Sequence, residues 1–113
     1  MKEKRGMRIM ASTKSYLDLV LDQLQGLSGV SYRGMMGEYI LYMWGRVVGG
    51  IYDNRLLIKP TKSALALVEN VKYELPYDGA RNMLLIEDID NKDLLSELFL
   101  AVYKDLDLSK KKK

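Results

Sequence analysis

Residues able to hold a metal, an anion or a proton are scarce in this chain, and where they cluster they are carboxylates, lysines and hydroxyls. There is no cysteine and no histidine. Thiolate catalysis, disulfides and cysteine-ligated metals are excluded, and so is the side chain most used for proton transfer near neutral pH. "EDIDNKDLL" brings Glu87, Asp88, Asp90 and Asp93 together. As a calcium loop it fails: counted from Asp88, Asp93 stands where the sharp turn needs glycine and Phe99 where a bidentate glutamate belongs. Helix capping explains the same residues better, with Asp90 as the cap of the last helix and Asp93 in its first turn near the positive end of the dipole. No metal and no cofactor is expected. "IKPTKSALA" places Lys59, Thr61, Lys62 and Ser63 where a strand end meets a helix start, so backbone N–H groups and lysines can face an anion. The glycine pattern of a phosphate loop is missing, and capping by Thr61 or Ser63 is the simpler reading. A serine–lysine pair of Ser63 with Lys59 or Lys62 has no accompanying base or oxyanion pattern to make it catalytic.

A third stretch, "YRGMMGEY" (residues 32–39), carries no catalytic pattern but holds Arg33, Met35, Met36 and Glu38 around two glycines. Gly34 and Gly37 point to special backbone angles or close packing, so the segment reads as a bend joining strands. Arg33 and Glu38 are placed to pair across the bend or to meet a partner. Met35, Met36 and Met43 read first as adaptable packing, with a partner-binding patch as the alternative. Tyr32, Tyr39, Tyr42, Trp44 and Tyr52 are compatible with a base-stacking platform, but strand propensity accounts for them more simply.

These residues need elements to position them. Tyr16, Leu17, Val20, Leu21, Leu24 and Leu27 recur at three- and four-residue steps and predict a core-facing helix, capped by Ser12 or Thr13 and ended in the Gly26–Gly29 region. "EYILYMW", "RVVGGIY" and "RLLIKP" follow as strands, with tight hairpins at Gly45-Arg46 and Asp53-Asn54. The Gly49-Gly50 pair inside the middle strand implies close packing against missing Cβ atoms. "TKSALALVE" predicts a short helix, "YELPYDGA" a turn-rich connection and "NMLLIE" another strand. A last helix near Asp90 buries Leu94, Leu95, Leu98, Phe99, Val102 and Leu106. The fold class is α+β: an antiparallel sheet of about four to six strands with the N- and C-terminal helices packed on it.

The chain has 113 residues, a net charge of +3 and no apolar run near the roughly 18 residues that a membrane span requires. The charge is uneven. Residues 1–9 hold Lys2, Lys4, Arg5 and Arg8 against Glu3, and Lys110–Lys113 add four more positive charges, whereas residues 10–109 carry 10 basic and 14 acidic side chains. That body lacks the basic face that phosphate-backbone binding needs, so direct specific DNA binding is not expected. The division expected is a basic extension over 1–9, one domain over 10–108 and a basic tail over 109–113, with no linker between. The amphipathic run after the basic opening is no signal peptide, and together with the lack of cysteine it points to the cytoplasm.

In combination and order, "RGMMGEY", "GGIYD", "KPT" and "PYDGA" resemble the N-terminal domain of the TfoX/Sxy family of competence regulators, across nearly the whole body from Ser12 to Leu106. Two-domain members activate DNA-uptake genes together with the cyclic-AMP receptor protein. Here the remaining "DLSKKKK" has no room for a second, helical domain. The resemblance implies a non-catalytic regulatory or protein-interaction module, with a protein partner of the transcription machinery and a homodimer compatible with it, and transfers no catalytic residue. The alternative is a small-ligand or anion-binding domain at the Lys59–Ser63 junction.

Overall fold

The computed structural model describes residues 12–111, and the side chains of residues 12–107. The extension 1–9 lies outside the described residues. The element order is α1 (Lys14–Gln23), β1 (Val30–Met35), β2 (Glu38–Met43), β3 (Arg46–Ile51), β4 (Leu56–Ile58), α2 (Lys62–Leu67), β5 (Tyr73–Glu74), β6 (Met83–Ile86) and α3 (Lys92–Lys111). The helix α3 thus runs past 108 into the stretch expected to be a tail.

All six strands join one antiparallel sheet in the order β1-β2-β3-β4-β6-β5. Its first four strands form a meander because three successive two-residue turns have both residues at positive φ: Met36-Gly37 (52° and 85°), Trp44-Gly45 (45° and 81°) and Asp53-Asn54 (53° each). This is the signature of type I′ turns, whose twist matches that of the flanking strands. The second turn sits one residue earlier than the expected Gly45-Arg46, and Arg46 already belongs to β3. Tyr73-Glu74, read from sequence as part of a turn-rich connection, pairs with β6 as a short edge strand. Two residues are too few to show an alternating pattern.

One sheet face carries the helices. Leu41, Met43, Val48, Ile51, Leu56, Ile58, Leu84 and Ile86 meet Leu17, Val20 and Leu24 of α1, Ala64 of α2, and Leu95, Leu98, Phe99 and Val102 of α3. Each of these α3 side chains is fully buried, and a buried leucine or phenylalanine contributes roughly 1.5–3 kcal/mol. Thr13 caps α1 by accepting from the Tyr16 N–H at 3.1 Å. Asn91, not Asp90, caps α3, accepting from the Leu94 N–H at 3.1 Å, while Asp93 does lie in the first turn. Asparagine and aspartate compete nearly equally for this position, so residue type could not choose between neighbours.

The Gly49-Gly50 pair is a close approach, as expected. An added Cβ at Gly49 would collide with the Leu57 carbonyl oxygen and lie 2.9 Å from Ile58 Cα, and one at Gly50 would lie 2.6 Å from the Tyr52 ring. The β2–β3 register shifts beside this pair, between Leu41 and Tyr42. Glycine keeps β3 and β4 in hydrogen-bonding range there.

Candidate functional site

Successive strand residues point to opposite sides of a sheet. With Leu41 and Met43 committed to the core, Glu38, Ile40 and Tyr42 project to the helix-free side, and the β1–β2 register carries Arg33 and Met35 there with them, opposite Ile40 and Glu38. At one end of this side the β1–β2 turn, the β3–β4 turn and the loop after β5 converge on a half-open cleft of about 930 Å³. Met35, Met36 and Glu38 line it from the first, Tyr52, Asp53 and Arg55 from the second, and Leu75 to Asp78 from the third. Apart from Arg55 and Leu75, its walls therefore come from "RGMMGEY", "GGIYD" and "PYDGA", three segments scattered over the chain.

Much of the cleft's apolar surface faces water. Met36 is 94% exposed, Tyr77 62% and Met35 50%. Met35 and Met36 are therefore not the packing residues their type suggested, whereas Met43 is fully buried. Tyr77 meets Tyr52 edge-on with ring centroids 6.3 Å apart. Burial raises the Tyr52 phenol above its ordinary pKa, and Tyr77, Glu38 and Tyr42 add to the shift, which keeps the hydroxyl protonated well above neutral pH.

The polar lining is held from behind. The Glu38 carboxylate accepts from the Ser12 hydroxyl at 2.6 Å and from the Asp53 N–H at 3.0 Å. Ser12 in turn donates its N–H to the Gly37 carbonyl at 2.9 Å and accepts from the Asn54 N–H at 3.0 Å. The entry to α1 is thereby tied to two hairpin turns. Arg55 reaches Glu74 of β5 at 2.5 Å and donates through Nε to the Tyr52 carbonyl at 3.0 Å, bracing the loop that supplies Tyr77.

Of the sequence-derived partner residues, Met35, Met36 and Glu38 come together in this cleft. Arg33 lies one pleat away on β1, exposed and outside the lining, and among the described residues no ion pair joins it to Glu38. Gly37 has the positive φ expected of one of the two glycines, while Gly34 has room for a Cβ, with the Tyr39 ring 3.9 Å away. Arg55 and Tyr77 are not among the residues that the sequence singles out, and Tyr52 is among them only as one of the aromatics of a stacking platform. The "GGIYD" and "PYDGA" motifs that contain Tyr52 and Tyr77 are the available signal, and Arg55 lies outside both.

The Lys59–Ser63 junction is arranged differently. Thr61 caps the six-residue α2, accepting from the Ala64 N–H at 3.4 Å. The Ser63 N–H and hydroxyl donate to the two carboxylate oxygens of Asp105 on α3, at 2.8 and 2.7 Å. The anion on these donors is thus the chain's own. Asp105 sits below its ordinary carboxylate range: slight burial acts to raise it, but the hydrogen bonds from Ser63 and Thr61 and the nearby Lys62 outweigh that. Among the described residues no cluster of three or more acidic side chains is placed to hold a metal, and Glu87 instead pairs with Lys72 at 3.0 Å. The five strand aromatics form no single platform. Tyr32 meets Tyr39, Trp44 meets Tyr103 and Tyr52 meets Tyr77. No helix among the described residues is long and apolar enough to cross a membrane.

Fold and site together define an α+β domain with one antiparallel sheet, helices on one face and an apolar cleft at the end of the other. The chain is 39% identical over 80 residues to the "uncharacterized 12.7 kDa protein in trpE 5'region" of Spirochaeta aurantia, an alignment spanning 71% of this chain and 70% of that protein. It belongs to the same family as that protein. No family model and no solved structure matches the chain.

Proposed function

We propose that this protein is a non-catalytic interaction module of regulatory role, and that its partner docks at the cleft between the β1–β2 turn, the β3–β4 turn and the loop carrying Tyr77. The observation that carries this reading is Met36. A methionine in the left-handed region costs roughly 1–2 kcal/mol relative to glycine or asparagine, and this one, at φ 52°, also leaves 94% of its surface in water. The positive φ belongs to the type I′ turn, but asparagine or glycine would serve that turn without the cost, and the exposed side chain adds nothing to the packing of the isolated fold. A costly turn residue whose apolar side chain is left in water at a cleft rim supports a recognition role for that rim. Methionine suits such a surface because its unbranched, polarizable side chain adapts to a partner.

The resemblance to the TfoX/Sxy N-terminal domain supports the same class of role, with the transcription machinery as the implied source of partners. The internal Asp105–Ser63 contact favours the cleft over the Lys59–Ser63 junction as the binding site. The test is photo-crosslinking in cells from a reactive side chain placed at Met36 or Tyr77, with Leu19, 54% exposed on α1, as the control position. One defined protein crosslinked from both cleft positions and not from Leu19 is expected. Equal crosslinking from all three positions, or none from the cleft, would overturn the proposal.

A further inference from the structure

The cleft's charge narrows the kind of partner. Among the described residues Arg55 is the cation of the lining, and it already has its guanidinium on Glu74 at 2.5 Å, so its charge is met within the fold. Glu38 is held by neutral donors, the Ser12 hydroxyl and the Asp53 N–H, which orient the carboxylate without cancelling its charge. Asp78 adds a carboxylate at the rim, and Asp53 also belongs to the lining. Between Glu38 and Asp78 lie Met35, Met36 and the Tyr52–Tyr77 ring pair, apolar but carrying the negative π faces that attract cations.

Resting on the reading of the cleft as a docking site, we propose that its occupant is a short partner segment presenting apolar side chains flanked by lysine or arginine. The apolar residues enter between Met35, Met36 and Tyr77. The basic groups meet Glu38 and Asp78 and stack on the tyrosines. An acidic segment would bring like charges together as it is desolvated, which complementary interfaces avoid.

The test uses the full chain and two fluorescein-labelled helical peptides with the same leucine spacing, one with lysine and the other with glutamate at all remaining positions, followed by anisotropy at low and moderate salt. The lysine peptide should bind, and bind at least about tenfold more weakly to Tyr77→Ala and to Asp78→Lys, whereas Leu19→Ala changes nothing. Both cleft positions are exposed in the loop after β5, and circular dichroism checks that the variants stay folded. Binding of the glutamate peptide with the same dependence on Tyr77 would leave the docking reading standing and overturn the basic class. Lysine-peptide binding indifferent to both cleft variants would show mere charge attraction to the acidic body and overturn the proposal. Self-association lost in Tyr77→Ala, without binding of either peptide, would give the cleft to a second copy. A full chain carrying Met7→Ser and Ile9→Ser that binds the lysine peptide about tenfold more tightly would give it to the chain's own N-terminal segment, again overturning the proposal.

Discussion

The Ser12 hydroxyl donates to Glu38 Oε1 at 2.6 Å across 26 residues of sequence. The same oxygen accepts from the Asp53 N–H at 3.0 Å, so one carboxylate joins the entry of α1, the start of β2 and the β3–β4 turn. Glu38 therefore holds the wall of the cleft in place as well as lending it charge. Hydrogen bonds to a charged group contribute about 1.5–3 kcal/mol, and removing the acceptor leaves part-buried donors unmatched. Glu38→Ala should lower the unfolding free energy by about 2–3 kcal/mol in urea titrations. Glu38→Gln, which keeps an acceptor of the same shape, should lose clearly less. Equal losses would show that the side chain's bulk, not its hydrogen bonds, matters.

Gly49 and Gly34 should respond oppositely to alanine. A Cβ at Gly49 meets backbone of β4, which cannot retreat without breaking the ladder, so Gly49→Ala should destabilise by about 1–3 kcal/mol or more. At Gly34 the nearest atom is 3.9 Å away in a side chain. Gly34→Ala should be neutral or stabilise by about 0.5–1 kcal/mol, as alanine loses less conformational freedom on folding. Thermal or urea unfolding of the two variants decides the matter.

Met36→Asn separates stability from recognition. Asn-Gly is the favoured pair for a type I′ turn, so this change should stabilise the fold by about 1 kcal/mol while removing the most exposed apolar side chain of the cleft. Partner binding should fall as stability rises. A variant that gains stability and binds as before would show that Met36 is not part of the docking surface.

Asp105 supplies a pH-dependent cap. Its pKa in the folded protein lies below its ordinary value of 3.8. The stabilisation is therefore present above about pH 4 and is lost as the pH falls through the folded-state pKa. Asp105→Ala should cost about 1 kcal/mol at neutral pH, the usual scale of a solvent-exposed helix cap. The difference from wild type should shrink steadily in unfolding curves taken below pH 4. A difference that stays constant into that range would mean the carboxylate charge does not contribute.

The elements that local chemistry governs were readable from the chain. The stripe Leu95, Leu98, Phe99 and Val102 repeats at helical spacing and is buried, and Asp53-Asn54 makes the turn its residue types favour. Both depend on interactions within a few residues. The turn at Trp44 was displaced by one position because tryptophan is a poor match to positive φ by type; the ring lies over Gly29 and meets Tyr103 at 5.2 Å, contacts that local preference does not weigh. The short strand β5 becomes visible only when β6 arrives to pair with it. The composition of "YRGMMGEY" marked Met35, Met36 and Glu38, but not whether their side chains would be buried, paired or exposed. Burial of Leu41 and Met43 sent Glu38 to the helix-free face, and chain folding brought Ser12 and Tyr77 beside that bend. Asp105 likewise reaches Ser63 across 42 residues. Such contacts exist only after loop closure has cost its entropy and the core has fixed which faces meet, so no local pattern encodes them.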